Sequence, residues 1–238
     1  MSHAIKLHVR GDFACFTRPE MKAERLTYDV MTPSAAVGIL TAIYWKPEMA
    51  WVIDAIHVLK PIRLTQIRRN EVGVKMARPK AALLQGGSGD LGFAVEDERQ
   101  QRAATILKNV SYLIEAHIDI VKRDDNLAVN SAAKHYEIFK RRAEKGQCFH
   151  QPYFGTREFP VHFAWVGEGD DLPPSELPEG EKNNNLGMML HSVEYLPDKQ
   201  GKVVSSHDGA RLTARPRFFP ARLHDGVLRV PPLNSTHF

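Results

Sequence analysis

The sequence predicts an α+β fold, a ferredoxin-like N-terminal domain followed by a smaller antiparallel β-sheet region, and three patterns carry that expectation. Ile5, Leu7 and Val9 alternate with Lys6, His8 and Arg10, the period-two signature of a strand buried on one face. Two apolar stripes recur at helical spacing, Ala36–Leu40–Tyr44 and Ala132–Tyr136–Phe139–Ala143. The order strand–helix–strand, insertion, strand–helix–strand then matches a split βαββαβ unit.

Each element has its own local cause. After the first strand Gly11-Asp12 interrupts, and Phe13 to Phe16 continues extended before a loop over Pro19–Glu24. Thr32 is suited to cap the first helix, with Pro33 at the first helical position, where its missing N–H costs nothing. Pro47 restricts the residue before it, so this helix ends near Trp45-Lys46 and leaves Tyr44 at its C-terminus. Trp51–Val58 is a second strand and Tyr112–Ile120 a third, the latter alternating with Glu115, His117 and Asp119. Between them, residues 62–80 form an extended basic segment and 81–103 a long loop or helical insertion. Asn130 is placed to cap the second helix and Gly146 to stop it. Met188–Tyr195 is a further strand, and 150–166 and 200–232 form short strands broken by Pro and Gly. The expected organisation is therefore a domain over 1–195, with the insertion at about 62–104 and a mobile acidic loop at about 167–186, then a β-rich region over 196–238.

The 238 residues are 43% hydrophobic and 25% charged, a globular profile without the composition of a disordered chain. No run approaches the roughly 20 apolar residues of a membrane span, and Met1–Lys6 leads into the first strand without a signal peptide's apolar core. A cytoplasmic protein without membrane contact is expected. Two cysteines, Cys15 and Cys148, make neither a disulfide framework nor a zinc site, and the eleven histidines lack metal-ligand spacing. No metal or other cofactor is expected.

Charge is segregated. Residues 60–80 hold seven basic residues (Lys60, Arg63, Arg68, Arg69, Lys75, Arg78, Lys80) against Glu71, and residues 199–222 hold six against Asp208. Residues 168–182 hold six acids against Lys182. Such a distribution suits a polyanionic partner on one side of the molecule, and equally two solvated basic loops. Gly87-Ser88-Gly89-Asp90-Leu91-Gly92 matches a dinucleotide fingerprint by spelling only, since the stretch before it, Lys80–Gln85, is no buried strand.

Tyr44 with Trp45-Lys46, and Lys134-His135-Tyr136 on the second helix, form a more informative set. In a ferredoxin-like arrangement both helices cover the same sheet face, which lets these groups approach. Cutting RNA without metal requires deprotonating a 2′-hydroxyl, stabilising added negative charge and protonating the departing 5′-oxygen. A phenol, an ammonium and an imidazole supply those capacities. The same residues also fit a structural role, because Tyr44 ends an apolar stripe and Lys134-His135 flanks a core face.

Here the sequence resembles a known family. Tyr28-Asp29-Val30-Met31-Thr32-Pro33-Ser34-Ala35 and Ala42-Ile43-Tyr44-Trp45-Lys46-Pro47 are similar to the signature of the Cas-five, subtype d, subunits of type I-C CRISPR systems, within the RAMP superfamily. Arg68-Arg69-Asn70-Glu71-Val72, Gln101-Arg102-Ala103, Val110-Ser111-Tyr112, Lys134-His135-Tyr136 and Phe154-Gly155-Thr156-Arg157-Glu158 follow in the same order. The resemblance implies an RRM-like N-terminal domain and an endoribonuclease that cuts CRISPR precursor RNA within each repeat. It assigns the catalytic roles to Tyr44, Lys134 and His135, with no metal and a 2′,3′-cyclic phosphate product. Because an ordinary tyrosine, with pKa about 10, is a poor base at neutral pH, Tyr44 is expected to orient the attacking hydroxyl, Lys134 to steady the phosphorane and His135 to shuttle protons. Lys6, His8, Arg10, Lys46, Arg63, Arg68, Arg69, Arg102 and Arg157 are expected to contact RNA, although the aromatic pattern of a true RRM face is missing. The implied partners are repeat RNA, mature guide RNA held by its 5′ handle, and other type I-C Cas subunits, with duplex DNA binding left open. Two alternatives stay open: a non-catalytic subunit that only caps the guide's 5′ end, and a generic RNA-binding protein.

Overall fold

The computed structural model describes residues 4–74, 94–121, 131–204 and 209–233. Within them the first strand, β1 (Ile5–Ala14), runs unbroken through Gly11-Asp12, because its partner continues beside it past Phe13 and Ala14. A two-residue strand, β2 (Arg25–Leu26), leads to helix α1 (Pro33–Ile43). Thr32 caps α1 as expected, its hydroxyl accepting from the Ala35 N–H at 3.3 Å, and Tyr44 leaves the helix in extended geometry. Strands β3 (Met49–Val58), β4 (Leu64–Val72) and β5 (Arg99–Ile120) follow, then helix α2 (Ala132–Glu144) and β6 (His162–Val166). A one-turn helix, α3 (Glu179–Lys182), precedes β7 (Asn185–Pro197), β8 (Val203–Val204), β9 (Arg211–His224) and β10 (Val227–Arg229).

These strands form a mostly antiparallel sheet in the order β6–β1–β5–β3–β10–β9–β7. Register follows the apolar pattern: Leu7 lies opposite Ile114, which lies opposite Ile56, and Ile5 lies opposite Ala116, which lies opposite Ile53. All of these are buried, and helices α1 and α2 cover them. Phe139 of α2 packs edge-on against Trp51 of β3 and Trp165 of β6, with ring centroids at 4.8 and 6.2 Å. Alternate residues face the other way: Lys6, His8 and Arg10 lie opposite Glu115, Leu113 and Ser111. The fold is thus α+β, with two main helices on one face of a long sheet.

Several elements differ from the sequence reading. The sequence gives β1 no position in the sheet; it is an interior strand between β5 and β6, so Lys6, His8 and Arg10 lie on a sheet face and not at its edge. Of the stretch expected as loop or helix, 94–98 is loop and turn, and from Arg99 onward it is strand: Arg99–Leu107 pairs with Leu64–Val72, which is extended as expected. The middle of the insertion, 75–93, which holds Lys75, Arg78, Lys80 and the glycine-rich motif, lies outside the described residues. Ser131, not Asn130, caps α2, accepting from the Lys134 N–H at 3.2 Å; Asn130 lies outside the described residues. The acidic segment 167–186 is tied to the sheet: the Glu176 N–H donates to the Leu59 carbonyl, Glu181 accepts from the Ile62 N–H at 2.8 Å, and Leu177 is buried. Leu196 sits opposite Thr213, so the boundary expected at 195/196 falls inside a β ladder. No helix among the described residues is long and apolar enough to cross a membrane.

Candidate active site

Tyr44 is fixed by the way α1 ends. Its N–H closes the last helical turn on the Leu40 carbonyl, and its own carbonyl accepts from the Trp51 indole at 3.0 Å. Pro47 then forces the turn into β3, leaving Trp45, Lys46 and Pro47 at the surface. His135 comes from the first turn of α2, where helical spacing puts it in line with Phe139 and Arg142. It belongs to the buried face of α2, whereas the sequence had placed it at the flank of a stripe containing the half-buried Tyr136.

These placements bring the phenol of Tyr44 to 2.9 Å from His135 Nδ1. The two side chains are only 3% and 1% exposed. Burial and the nearby Glu48 carboxylate hold the Tyr44 phenol above its ordinary pKa, opposed by Arg142. Burial lowers the pKa of His135; Glu48 opposes this, while Lys134 and Lys46 reinforce it. Both groups are therefore neutral at pH 7. A protonated phenol facing Nδ1 donates to it, which leaves the imidazole proton on Nε2. Nε2 is buried without a hydrogen-bond partner among the described residues; Glu48 Oε1 lies 3.8 Å away, beyond hydrogen-bond reach.

Positive charge surrounds this pair. Arg142 lies against the Tyr44 ring, its guanidinium carbon 5.2 Å from the ring centroid, and donates to the Ile43 carbonyl at 3.0 Å. Lys134 and Lys46 are exposed and near enough to act on the imidazole. The structure thus places Tyr44, His135 and the cation of Lys134 in one region at the C-terminal end of α1.

Of the nine residues expected to contact RNA, Lys46 stays beside this pair and the other eight lie elsewhere. On the open sheet face, Lys6 Nζ is 3.5 Å from Glu115, and His8 Nε2 is 2.9 Å from the Ser111 hydroxyl. Arg10 is exposed and borders a groove of about 350 Å3 between this face and Pro173-Pro174. Along the β4–β5 arm, Arg69 is held by Glu71 and Glu158 at 2.9 and 2.6 Å, and Arg102 lies 3.8 Å from Glu71. Arg63, Arg68 and Arg157 are exposed, as is Lys46 beside the Tyr44 pair. Glu48 and Arg142 are the neighbours that the sequence reading missed. Arg142 was accessible from periodicity, seven residues after His135; Glu48 gave no signal beyond following Pro47.

The profile of the family described as CRISPR-associated protein (Cas_Cas5) matches residues 4–231. A CRISPR pre-crRNA endoribonuclease Cas5d from Mannheimia succiniciproducens is 51% identical over 237 residues, covering 98% of this chain and 96% of its own. One of the same description from Thermus thermophilus is 41% identical over 232 residues, covering 95% and 91%. Among solved structures, a functionally uncharacterized protein from Streptococcus mutans superposes with a TM-score of 0.65 at 22% identity, covering 100% of this chain and 96% of its own. A CRISPR-associated protein does so at 0.64 and 21%, with the same coverage. These two share the fold.

Proposed function

The chain belongs to the Cas5d family of CRISPR-associated proteins, and from that premise we propose that it cuts CRISPR precursor RNA within repeats by 2′-hydroxyl attack, without metal. The observation that carries this reading is the Tyr44–His135 hydrogen bond, with a buried Nε2 that has no hydrogen-bond partner among the described residues and with Glu48, Lys134 and Lys46 acting on the imidazole. The proton inventory closes on these two residues. The 2′-hydroxyl gives its proton to Tyr44 Oη as Oη passes its own to His135 Nδ1, and Nε2–H protonates the departing 5′-oxygen. A phenol with a raised pKa is no base by itself, so the transfers are concerted. Lys134 and Lys46 balance the charge that grows on the phosphorane, and Arg142 steadies negative charge on the phenol. Products are a 2′,3′-cyclic phosphate and a 5′-hydroxyl.

The antiparallel order β6–β1–β5–β3, with α1 and α2 on one face, supports a ferredoxin-like, RRM-like reading of this part of the chain. After cleavage the protein keeps the guide's 5′ handle and joins other type I-C subunits, a role that rests on family membership. The burial of Tyr44 and His135 favours a second reading, in which their bond merely clamps α1 to α2 and the protein is a non-catalytic 5′-handle-binding subunit.

Incubating the purified chain with repeat RNA in EDTA separates the readings. Cleavage to a cyclic-phosphate end, blocked by 2′-deoxy substitution at the cut, supports the nuclease. Cutting of the deoxy substrate would overturn the mechanism, and tight binding without any cut would leave the clamp.

A further inference from the structure

Phe149 is 84% exposed, which is unusual for a phenylalanine held on a rigid backbone. Its position is set by hydrogen bonds on both sides. Gly146 ends α2 with φ +63°, a left-handed conformation that suits glycine, and the Gln147 N–H returns to the Arg142 carbonyl at 2.9 Å. The Phe149 and His150 N–H groups then both donate to the Ala42 carbonyl, at 2.8 and 3.3 Å, docking the segment on the last turn of α1 two residues before Tyr44. Behind Phe149 the rings continue. His150 meets it edge-on at 6.0 Å and stacks on Tyr153 at 6.3 Å, with planes 23° apart. The phenylalanine is thus backed by other rings while most of its own surface faces water.

Beside it opens a cleft of about 440 Å3 lined by Arg142, Gln147, Cys148 and Phe149, within the size range of small-ligand sites. Its chemistry is mixed in a particular way: a guanidinium, an exposed primary amide and an aromatic face. An unpaired nucleotide needs that combination. Its phosphate takes the cation, its base stacks on the ring, and its Watson–Crick edge meets an amide that both donates and accepts. Arg142 also lies against the Tyr44 ring, so one residue borders both the cleft and the phenol.

We propose that this cleft is a stacking subsite for one unpaired nucleotide next to the scissile phosphodiester, with Phe149 as the platform, Gln147 reading the base edge and Arg142 holding the phosphate. The proposal deepens the ribonuclease reading and rests on its placing RNA at Tyr44. Phe149 and Gln147 are positioning and specificity residues, set apart from the acid–base pair.

The test compares wild type, Phe149→Ala and Phe149→Trp in binding and single-turnover cleavage of repeat RNA, using substrates with one abasic nucleotide walked across the cut. Base–aromatic stacking measured by alanine substitution corresponds to roughly a 5- to 150-fold loss of affinity. Phe149→Ala should show a loss in that range with an unchanged melting temperature, and Phe149→Trp should restore binding. One abasic position near the cut should weaken wild type equally and add nothing to Phe149→Ala, since the partner of the missing base is already gone. Gln147→Ala should change the preferred base at that position. Unchanged binding by Phe149→Ala, or an abasic profile identical in wild type and Phe149→Ala, overturns the proposal. So does a defect seen only in capture of other Cas subunits, which would make the ring a protein-docking anchor. If wild type binds repeat RNA without cutting it and Phe149→Ala loses that binding, the subsite stands and the nuclease reading falls.

Discussion

The two faces of the central sheet handle polar groups in opposite ways. Under the helices the polar atoms are few and dry: Tyr44 and His135 meet each other, and Nε2 has no partner among the described residues. On the open face they are many and mostly engaged. Lys6 Nζ lies 3.5 Å from Glu115, His8 meets Ser111, and His117 Nδ1 lies 2.9 Å from Asp54, while His57 Nε2, 3.3 Å from Glu115, is itself buried without a hydrogen-bond partner among the described residues. Charges that neutralise one another at a wet surface are worth little individually, whereas a buried unpartnered nitrogen has a strong drive to find one. The difference teaches where chemistry and where affinity should reside: turnover beneath the helices, binding spread over the surface.

The largest expected effect breaks the buried pair. Tyr44→Phe keeps the ring and its packing but removes the proton path, and should lower single-turnover cleavage by roughly 10²–10⁴-fold while RNA affinity stays put. His135→Ala should do the same, with melting temperature monitored because it opens a cavity among buried groups. If His8→Ala or Arg10→Ala lost cleavage as deeply at saturating protein, the division between the faces would be wrong.

That division was half legible in the amino-acid sequence. Alternation of Ile5, Leu7 and Val9 against Lys6, His8 and Arg10 gives the two faces of β1, because the pleat obeys a period of two. Thr32-Pro33 at one end and Pro47 beyond the other bracket α1 and place Tyr44, because caps and prolines act locally. Position within the sheet was not legible. β1 is interior because β6 pairs on its outer side across more than 150 residues, and no local signal encodes that. Nor did the sequence show that Arg69 is held between Glu71 and Glu158, one of them far along the chain. A stripe through Tyr136 leaves His135 flanking the core; shifted by one residue it runs through His135, Phe139 and Arg142, the face that meets Tyr44.

A smaller effect sharpens the comparison through pH. His135 beneath the helices and His8 on the open face both have lowered pKa values, burial being the leading cause in each; His191 behaves likewise. An unfolded histidine titrates near 6.5. Between that value and the lower folded value the unfolded chain binds protons that the folded chain refuses, so stability is full above pH 6.5 and falls as the solution is acidified. One such group contributes a slope of at most about 1.4 kcal/mol per pH unit inside that window. Urea unfolding midpoints should drop between pH 7.5 and 5.5, and His8→Gln should flatten part of the drop. A midpoint that rises on acidification would contradict the neutral, buried state of these imidazoles.

The smallest effects belong to Lys6 and, just above it, to Arg10. It is exposed beside the groove under Pro173-Pro174, and no ion pair holds it among the described residues. A phosphate contact on single-stranded RNA contributes about 0.7 to the slope of log affinity against log salt. Arg10→Ala should therefore weaken RNA binding modestly, flatten the salt dependence by about that amount and leave the cleavage rate of bound RNA unchanged. Lys6→Ala should do less, because Glu115 already takes up the lysine's charge and would be freed to repel phosphate only where RNA comes close. A steeper loss for Lys6 than for Arg10 would mean that RNA displaces Glu115 from Lys6, and that the open face reorganises on binding.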